Sequence, residues 1–210
     1  MIIAIDGPAA AGKGTLTRKL AKYYNLALLD TGLIYRAVGL KAVLNGDPSD
    51  SEIAIQAAKS LDLADLKIHG IRGELAAKSA SLVAAIPAVR DVLLEFQREF
   101  AHNPPDGKLG SILDGRDIGT VVCPDAKFKL YITASLEVRT DRRYKELQER
   151  GEEAIRSAVL DDIKKRDERD ITRALSPLKP AGDAKIIDSS DFNASEVFSL
   201  AQEFISSQMK

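Results

Sequence analysis

The sequence is poor in the residues on which disulfide-stabilised, membrane-spanning and zinc-dependent proteins rely. Its one cysteine, Cys123, excludes an internal disulfide, and it has no run of 18 apolar residues to cross a membrane. Its two histidines, His69 and His102, are too few to favour a His-based zinc site or a catalytic triad, and we expect both at the surface. The apolar N-terminus meets Asp6 too early for a signal peptide, so we expect a soluble cytoplasmic protein.

The sequence also has no excess of either charge. Lys and Arg number 30 against 31 Asp and Glu, which gives a net charge of −1 and no basic field for nucleic acid or an anionic membrane. We therefore expect neither as a partner, and the charged final helices favour a monomer. A length of 210 residues suits one α/β domain with small insertions.

A glycine-bounded loop follows the first apolar run, Met1 to Ile5, and precedes apolar residues at helical spacing. This context predicts a strand, a phosphate-binding loop and a helix, in which backbone N–H groups and a lysine surround a polyphosphate. Gly14 separates the lysine from the hydroxyl of Thr15, a variant that resembles nucleoside-monophosphate kinases and not GTPases. The predicted ATP-binding residues are Gly7, Pro8, Ala9, Ala10, Ala11, Gly12, Lys13, Gly14 and Thr15.

Apolar runs alternate with helical patterns along the rest of the chain, which predicts about five parallel strands flanked by helices. Further strands are expected at 27–30, 111–114, 128–132 and 184–188. Helices are expected from Ser135 to about Glu149, from about Glu152 to Asp170, and after an Asn193 cap.

The middle of the chain is harder to interpret. Ser49 and Glu52 form a capping-box pattern that predicts a helix to about Ser60. Residues 61–75 carry only a weak strand signal at 66–68, and we expect a small insertion there.

Phosphoryl transfer requires positioning and charge neutralisation, so arginines and strand-end carboxylates are the informative residues. Asp114 ends a predicted core strand, where a carboxylate can reach Mg²⁺ directly or through water. Alternatively, Asp114 orients Lys13 or Arg116. Arginine suits the other roles because its planar fork binds two phosphate oxygens at once.

Four motifs occur in a fixed order after the phosphate loop: residues 30–36 (DTGLIYR), Ser81 with 87–90 (PAVR), 114–120 (DGRDIGT) and 166–173 (RDERDITR). As an ordered set over nearly the whole chain, they resemble bacterial cytidylate kinases. The resemblance implies a single P-loop kinase domain over 1–210, with a nucleotide-binding insertion at about 36–85 and a mobile lid at about 140–175. It also implies transfer of the γ-phosphoryl group of ATP to CMP or dCMP with Mg²⁺.

The resemblance further implies a role for each matching residue. The acceptor's phosphate would meet Thr31, Tyr35, Arg36, Arg116 and Arg173, its ribose would meet Arg166 and Asp170, and its base would meet Ser81, Arg90 and Asp117. Cytosine suits that last set, because its N4 amine donates to a carboxylate and its O2 and N3 accept from an arginine. The implied catalytic residues are Lys13, Arg116, Arg142, Arg143 and Arg173, with Arg139 also at the start of the lid, and the implied metal ligands are Asp114 and Thr15.

Two other functions stay open at this stage. One is a related kinase that accepts another nucleoside monophosphate or a small alcohol, and the other is a nucleotide-dependent switch that hydrolyses ATP slowly. The loop also has Ala10 where the resembling family commonly has glycine, a mild change if the φ angle of Ala10 is negative.

Overall fold

The computed structural model describes residues 1–173 and 175–209. Two compact units are distinguished: unit 1 comprises Met1–Leu28 and Ala101–Lys210, and unit 2 comprises Leu29–Phe100. Within the described residues, no helix combines the length and apolar character needed to cross a membrane. The predicted single domain, insertion and lid stay predictions.

Five strands and eight α-helices make up the regular structure of the described residues. The strands are β1 (Ile2–Asp6), β2 (Ala27–Asp30), β3 (Ser111–Gly115), β4 (Phe128–Thr133) and β5 (Lys185–Asp188). The helices are α1 (Lys13–Tyr24), α2 (Thr31–Asn45), α3 (Ser51–Lys59), α4 (Glu74–Val83), α5 (Pro87–His102), α6 (Leu136–Glu149), α7 (Arg156–Thr172) and α8 (Ala194–Met209).

The strands form one sheet in the order β2-β3-β1-β4-β5, which confirms the predicted five-stranded sheet. β1 is central and runs parallel to both β3 and β4, with Asp6 opposite Gly115 on one side and Tyr131 on the other. The carboxyl ends of β1, β3 and β4 therefore meet at one edge of the sheet. In open parallel sheets, ligands bind at this edge.

Unit 1 buries its core between the sheet and the helices α1 and α8. Ile3 and Ile5 of β1 pack with Leu20 of α1 and with Ala201 and Ile205 of α8, all fully buried. Asn193 accepts hydrogen bonds from the N–H groups of Ser195 and Glu196, which confirms the predicted cap of α8. Cys123 is buried, and both histidines are exposed, as expected.

Unit 2 is helical apart from the end of β2. Its core is formed by fully buried side chains of four helices, represented by Val38 of α2, Ala54 of α3, Ala76 of α4 and Leu93 of α5.

Three local predictions were wrong. Asp50, not Ser49, caps α3, because its carboxylate accepts from the N–H groups of Glu52 and Ile53. The weak strand predicted at 66–68 is instead the end of a 3₁₀-helix, Leu63–Lys67, and its C-cap, Ile68. This helix begins with a capping box of Asp62 and Asp65. The second charged helix begins at Arg156, four residues later than expected.

Candidate active site

The phosphate loop leaves β1 at Asp6 and enters α1 at Lys13. Gly7 has a φ of 146°, and a Cβ there would lie 1.9 Å from the carbonyl oxygen of Ile132, so no side chain fits at this position. Gly12 is the N-cap of α1 with a φ of 89°, and no side chain caps the helix. The first N–H groups of α1 therefore lack a side-chain acceptor, as a helix that binds an anion at its N-terminus requires.

Ala10 lies in the left-handed region, with a φ of 60°. The condition under which alanine was a mild change, a negative φ, is therefore not met. A Cβ in this conformation is strained, at a cost of about 1–2 kcal/mol, which glycine would not incur.

Lys13 is 6% exposed and points back across the loop. Its Nζ donates to the carbonyl oxygen of Pro8 at 2.9 Å and lies 3.7 Å from Asp114 Oδ1. Burial, reinforced by the charge of Arg116, lowers the pKa of Lys13 from 10.5 to about 8, although Asp114 opposes the change. The ammonium is thus a desolvated positive charge in a loop built for an anion.

Asp114 and Thr15 provide oxygen atoms near the start of α1. A Cβ on Gly14 would lie 3.7 Å from Asp114 Oδ2, so this carboxylate borders both Lys13 and the residue before Thr15. Thr15 is exposed, and its hydroxyl accepts a hydrogen bond from Arg18 at 3.3 Å. The described residues contain no group of three or more His, Cys, Asp or Glu side chains suited to a metal.

Four of the predicted acceptor-binding residues form two ion pairs in unit 1. Arg116 Nε donates to Asp170 Oδ2 at 2.8 Å, and Arg173 Nη2 lies 3.7 Å from Asp117 Oδ2. Both pairs connect the end of β3 with the end of α7. Arg166, one turn before Asp170, is exposed, and its charge also contributes to the lowered pKa of Lys13.

The three arginines of α6 have different surroundings. Arg139 is 6% exposed and donates to the carbonyl oxygens of Ala134 at 3.0 Å and Ala9 at 3.4 Å. It also pairs with Asp167 of α7 at 2.7 Å. Arg139 therefore joins the phosphate loop to α7.

Arg142 and Arg143 are less buried than Arg139. Arg142 donates to Ser189 Oγ at 2.9 Å and to the Ser189 carbonyl oxygen at 2.7 Å. The same hydroxyl donates to the carbonyl oxygen of Ala11 at 3.0 Å, so Arg142 supports the phosphate loop through Ser189. Arg143 pairs with Glu146 at 2.9 Å, one turn along α6.

The other predicted acceptor-binding residues belong to unit 2. Thr31 is buried at the start of α2, and Arg36 donates to the carbonyl oxygens of Ile71 and Gly73 at 3.2 and 3.4 Å. The Arg90 guanidinium lies 5.9 Å from the centre of the Tyr35 ring. Ser81 is exposed on α4 and donates to the carbonyl oxygen of Ala77 at 3.1 Å.

Comparison with known proteins decides the family. The family model described as "Cytidylate kinase" matches residues 3–207, nearly the whole chain. This chain belongs to the cytidylate kinase family. The cytidylate kinase of Paramagnetospirillum magneticum is 56% identical over 208 residues, covering 99% of this chain and 98% of that protein. The cytidylate kinase of Methylocella silvestris is 52% identical over 99% of this chain and 94% of its own length.

Solved structures support the fold alone. A structure of an uncharacterized protein from Eubacterium ventriosum matches with a TM-score of 0.57 and 16% identity, covering 99% of both chains. At this identity the likeness carries no information on substrate. Together with the family match, it agrees with the α/β kinase fold expected from the sequence.

The sequence patterns did not indicate the role of one buried carboxylate, Asp6. Asp6 is 3% exposed at the end of β1 and accepts from the N–H groups of Ile118 and Gly119, both at 2.8 Å. Burial raises the pKa of Asp6 from 3.8 to about 6, against the effect of its two hydrogen bonds. The signal was present, because Asp6 ends an apolar strand at the phosphate loop, as Asp114 lies one residue before the end of β3.

Proposed function

We propose that this chain transfers the γ-phosphoryl group of ATP to CMP or dCMP, giving ADP and CDP or dCDP. The observation that carries the proposal is the arrangement of unit 1. A phosphate loop with a buried lysine shares one sheet edge with a strand-end carboxylate and two Arg–Asp pairs. The family match over residues 3–207 supports CMP as the acceptor.

The phosphate loop, residues 7–15, holds the donor. Its backbone N–H groups and the uncapped N-terminus of α1 bind phosphate oxygens, and Lys13 adds a charge that is strong because it is desolvated. When ATP arrives, its phosphates replace the carbonyl oxygen of Pro8 as the acceptor for Lys13. Binding an anion beside Lys13 also raises its lowered pKa again, so the lysine stays protonated in the complex.

Mg²⁺ fits the oxygen atoms that lie beside the loop. The Thr15 hydroxyl and Asp114, directly or through water, would hold it, and this small ligand set suits an ion that takes its remaining ligands from phosphate and water. When bound, Mg²⁺ neutralises charge on the phosphate oxygens of ATP. Before ATP and Mg²⁺ bind, the negative charge of Asp114 partly balances the positive charge of Lys13.

The acceptor is held by residues of the four ordered motifs. Arg36, Arg116 and Arg173, with Thr31 and Tyr35, bind the phosphate of CMP. Asp170 and Arg166 bind the ribose, and the base is read by Ser81, Arg90 and Asp117. The ion pairs of Arg116 and Arg173 hold these long side chains in place, which lowers the entropy lost when the nucleotide binds.

Transfer then depends on charge neutralisation and not on a protein nucleophile. Lys13, Arg116, Arg142, Arg143 and Arg173 surround the transferred group with positive charge. Arg142 and Arg143 take this role from the lid helix α6 by exchanging their contacts with Ser189 and Glu146 for the transferred phosphoryl group. Closure of the lid excludes water and so guards against hydrolysis of ATP.

A coupled assay of ADP release tests the proposal with ATP, Mg²⁺ and a panel of CMP, dCMP, UMP, AMP and GMP. We expect CMP and dCMP to be the best acceptors and hydrolysis without acceptor to be slow. A higher kcat/KM for another monophosphate would favour a related kinase. Appreciable hydrolysis that no acceptor stimulates would favour a nucleotide-dependent switch.

We also propose that the chain works as a cytoplasmic monomer. Light scattering after size-exclusion chromatography should give the mass of one chain. A mass of two chains at micromolar concentration would contradict the monomer.

A further inference from the structure

We infer that Asp6 is a positioning residue that sets the selectivity for cytosine. It does so by fixing the turn that directly follows Arg116 and Asp117 to the phosphate-loop end of β1. The inference rests on the proposed function, in which Asp117 reads the base and Arg116 binds the acceptor's phosphate. Asp6 itself has no assigned contact with either nucleotide.

The contacts of Asp6 use both carboxylate oxygens. Oδ1 accepts from Ile118 N–H and Oδ2 accepts from Gly119 N–H, each at 2.8 Å. The side chain projects from the central strand, whose register places Asp6 opposite Gly115. A carboxylate that is 3% exposed on the central strand thus holds two consecutive amides of the segment that follows β3.

The segment so held is a single π-helical turn, Ile118–Val122, directly after Asp117. The carbonyl oxygen of Asp117 accepts from the N–H groups of Val121 and Val122 at 2.8 and 3.1 Å, which anchors its backbone to the turn. The first N–H groups of such a turn have no acceptor within it. Asp6 supplies that acceptor, because the side chain of Asp117 does not cap the turn.

The Asp117 side chain is therefore left to point elsewhere, and it lies 3.7 Å from Arg173. Movement of the turn would shift Asp117 and the preceding Arg116 together. A displacement of about 1 Å in a positioning contact can cost about 100-fold in rate. The selectivity for the base depends on the position of Asp117, so it also depends on the two hydrogen bonds that Asp6 accepts from the turn.

A carboxylate suits this position better than an amide. Asparagine offers one acceptor oxygen and would turn an NH₂ donor towards the second N–H group. Burial raises the pKa of Asp6. The two N–H groups have the opposite effect on this pKa, because they donate hydrogen bonds to the charged form. The geometry therefore predicts that Asp6→Asn releases one of the two amides.

Gly119 offers a second way to disturb the same contact. A Cβ there would lie 3.4 Å from Asp6 Oδ2 and 3.3 Å from Cδ of Lys129, both tight distances. Gly119→Ala therefore crowds Asp6 and Lys129 by a few tenths of an ångström at most, without changing the carboxylate. The two variants perturb one interaction from opposite sides.

The test measures kcat/KM for CMP and UMP, and KM for ATP, in the wild type, Asp6→Asn and Gly119→Ala. Asn193→Ala is the control, because it removes a side-chain acceptor of two backbone N–H groups at the α8 cap, also in unit 1. We expect Asp6→Asn to narrow the CMP-to-UMP ratio about tenfold or more and Gly119→Ala to narrow it by less, both with a raised KM for CMP. Gly119→Ala keeps the carboxylate that acts on Lys13, so it should leave the KM for ATP almost unchanged. The control should lose stability and keep the wild-type ratio.

Folded Asp6→Asn and Gly119→Ala proteins with wild-type ratios and wild-type KM for CMP would overturn the inference. If Asp6→Asn does not fold, Gly119→Ala alone decides by the same criterion. Failure of the proposed function is separately visible, because the wild type would then show no preference for CMP over UMP. If Asp117→Asn alters the ratio and the two test variants do not, only the inference about Asp6 fails.

Discussion

Replacing Lys13 by methionine should separate activity from stability. Burial lowers the pKa of Lys13 from 10.5 to about 8, so holding it protonated at pH 7 costs about 3 kcal/mol of folding free energy. This cost applies below about pH 8 and disappears as the pH rises from about 8 to 10.5, because the unfolded chain then binds more protons. Methionine has a similar length and carries no charge.

The contacts that methionine loses are few. They are the hydrogen bond to the carbonyl oxygen of Pro8 at 2.9 Å and the ion pair with Asp114 at 3.7 Å. Losing a hydrogen bond from a charged donor costs about 1.5–3 kcal/mol. This loss nearly cancels the gain of about 3 kcal/mol that comes from no longer burying a charge. Asp114 also loses its cation, but this pair is longer than a close ion pair, so we expect the free energy of unfolding of Lys13→Met to change by no more than about 2 kcal/mol. The catalytic loss should be at least about 100-fold in kcat, as for a lost electrostatic contact to a transition state.

Urea unfolding and the coupled ADP-release assay measure these two quantities on one preparation. Lys41→Met is the matched control, since Lys41 also donates to a backbone carbonyl, of Ser60 at 2.6 Å, and pairs with an aspartate, Asp65 at 2.7 Å. We expect the control to lose about 1 kcal/mol of stability and to keep its activity. Near-native activity of folded Lys13→Met would refute the assignment, and a loss of several kcal/mol would refute the reasoning on burial.

Three further predictions concern the surroundings of the phosphate loop. Arg139→Ala should destabilise the protein by about 3 kcal/mol in urea unfolding, because it leaves the carboxylate of Asp167, only 16% exposed, without its cation. Loss of the exposed Arg156 pair should cost far less, and equal losses would contradict this. Ala10→Gly should raise the melting temperature slightly, since relief of the left-handed strain exceeds the added entropy of the unfolded chain; a clear fall would count against strain in the loop. The kcat/KM for ATP at saturating CMP should fall as the pH rises through about 8, where the enzyme without ATP loses the charge of Lys13; a flat profile across that pH would show that this charge is not required.

The regular parts of the fold were predictable because they depend on short-range patterns. An apolar run bounded by glycine gives β1 and the phosphate loop, and apolar residues at helical spacing give α1 and α8. The error at α3 has a local cause. The chain offers several capping residues in succession, and Asp47 accepts from both the N–H and the hydroxyl of Ser49, which leaves Asp50 as the cap.

The pairings within the site were not predictable, because their partners are distant in sequence. Arg116 and Asp170 are 54 residues apart, and nothing local indicates that they meet. The motifs nominated both residues separately. The buried role of Asp6 was likewise hidden, because its partners are backbone amides more than 100 residues away. Sequence patterns identified the residue types at the sheet edge, and only the folded chain supplied their contacts.

The most direct test of the account is the ratio of kcat/KM for CMP to that for UMP, compared between the wild type and Asp117→Asn. A carboxylate that accepts from the cytosine N4 amine meets a second oxygen in uracil, so we expect the wild type to prefer CMP by up to about 10⁴-fold. Asparagine can donate to the uracil O4, so the variant should narrow the ratio, mainly through slower turnover of CMP. A wild type that uses both bases within about a factor of two, or a folded variant that keeps the original ratio, would contradict the account.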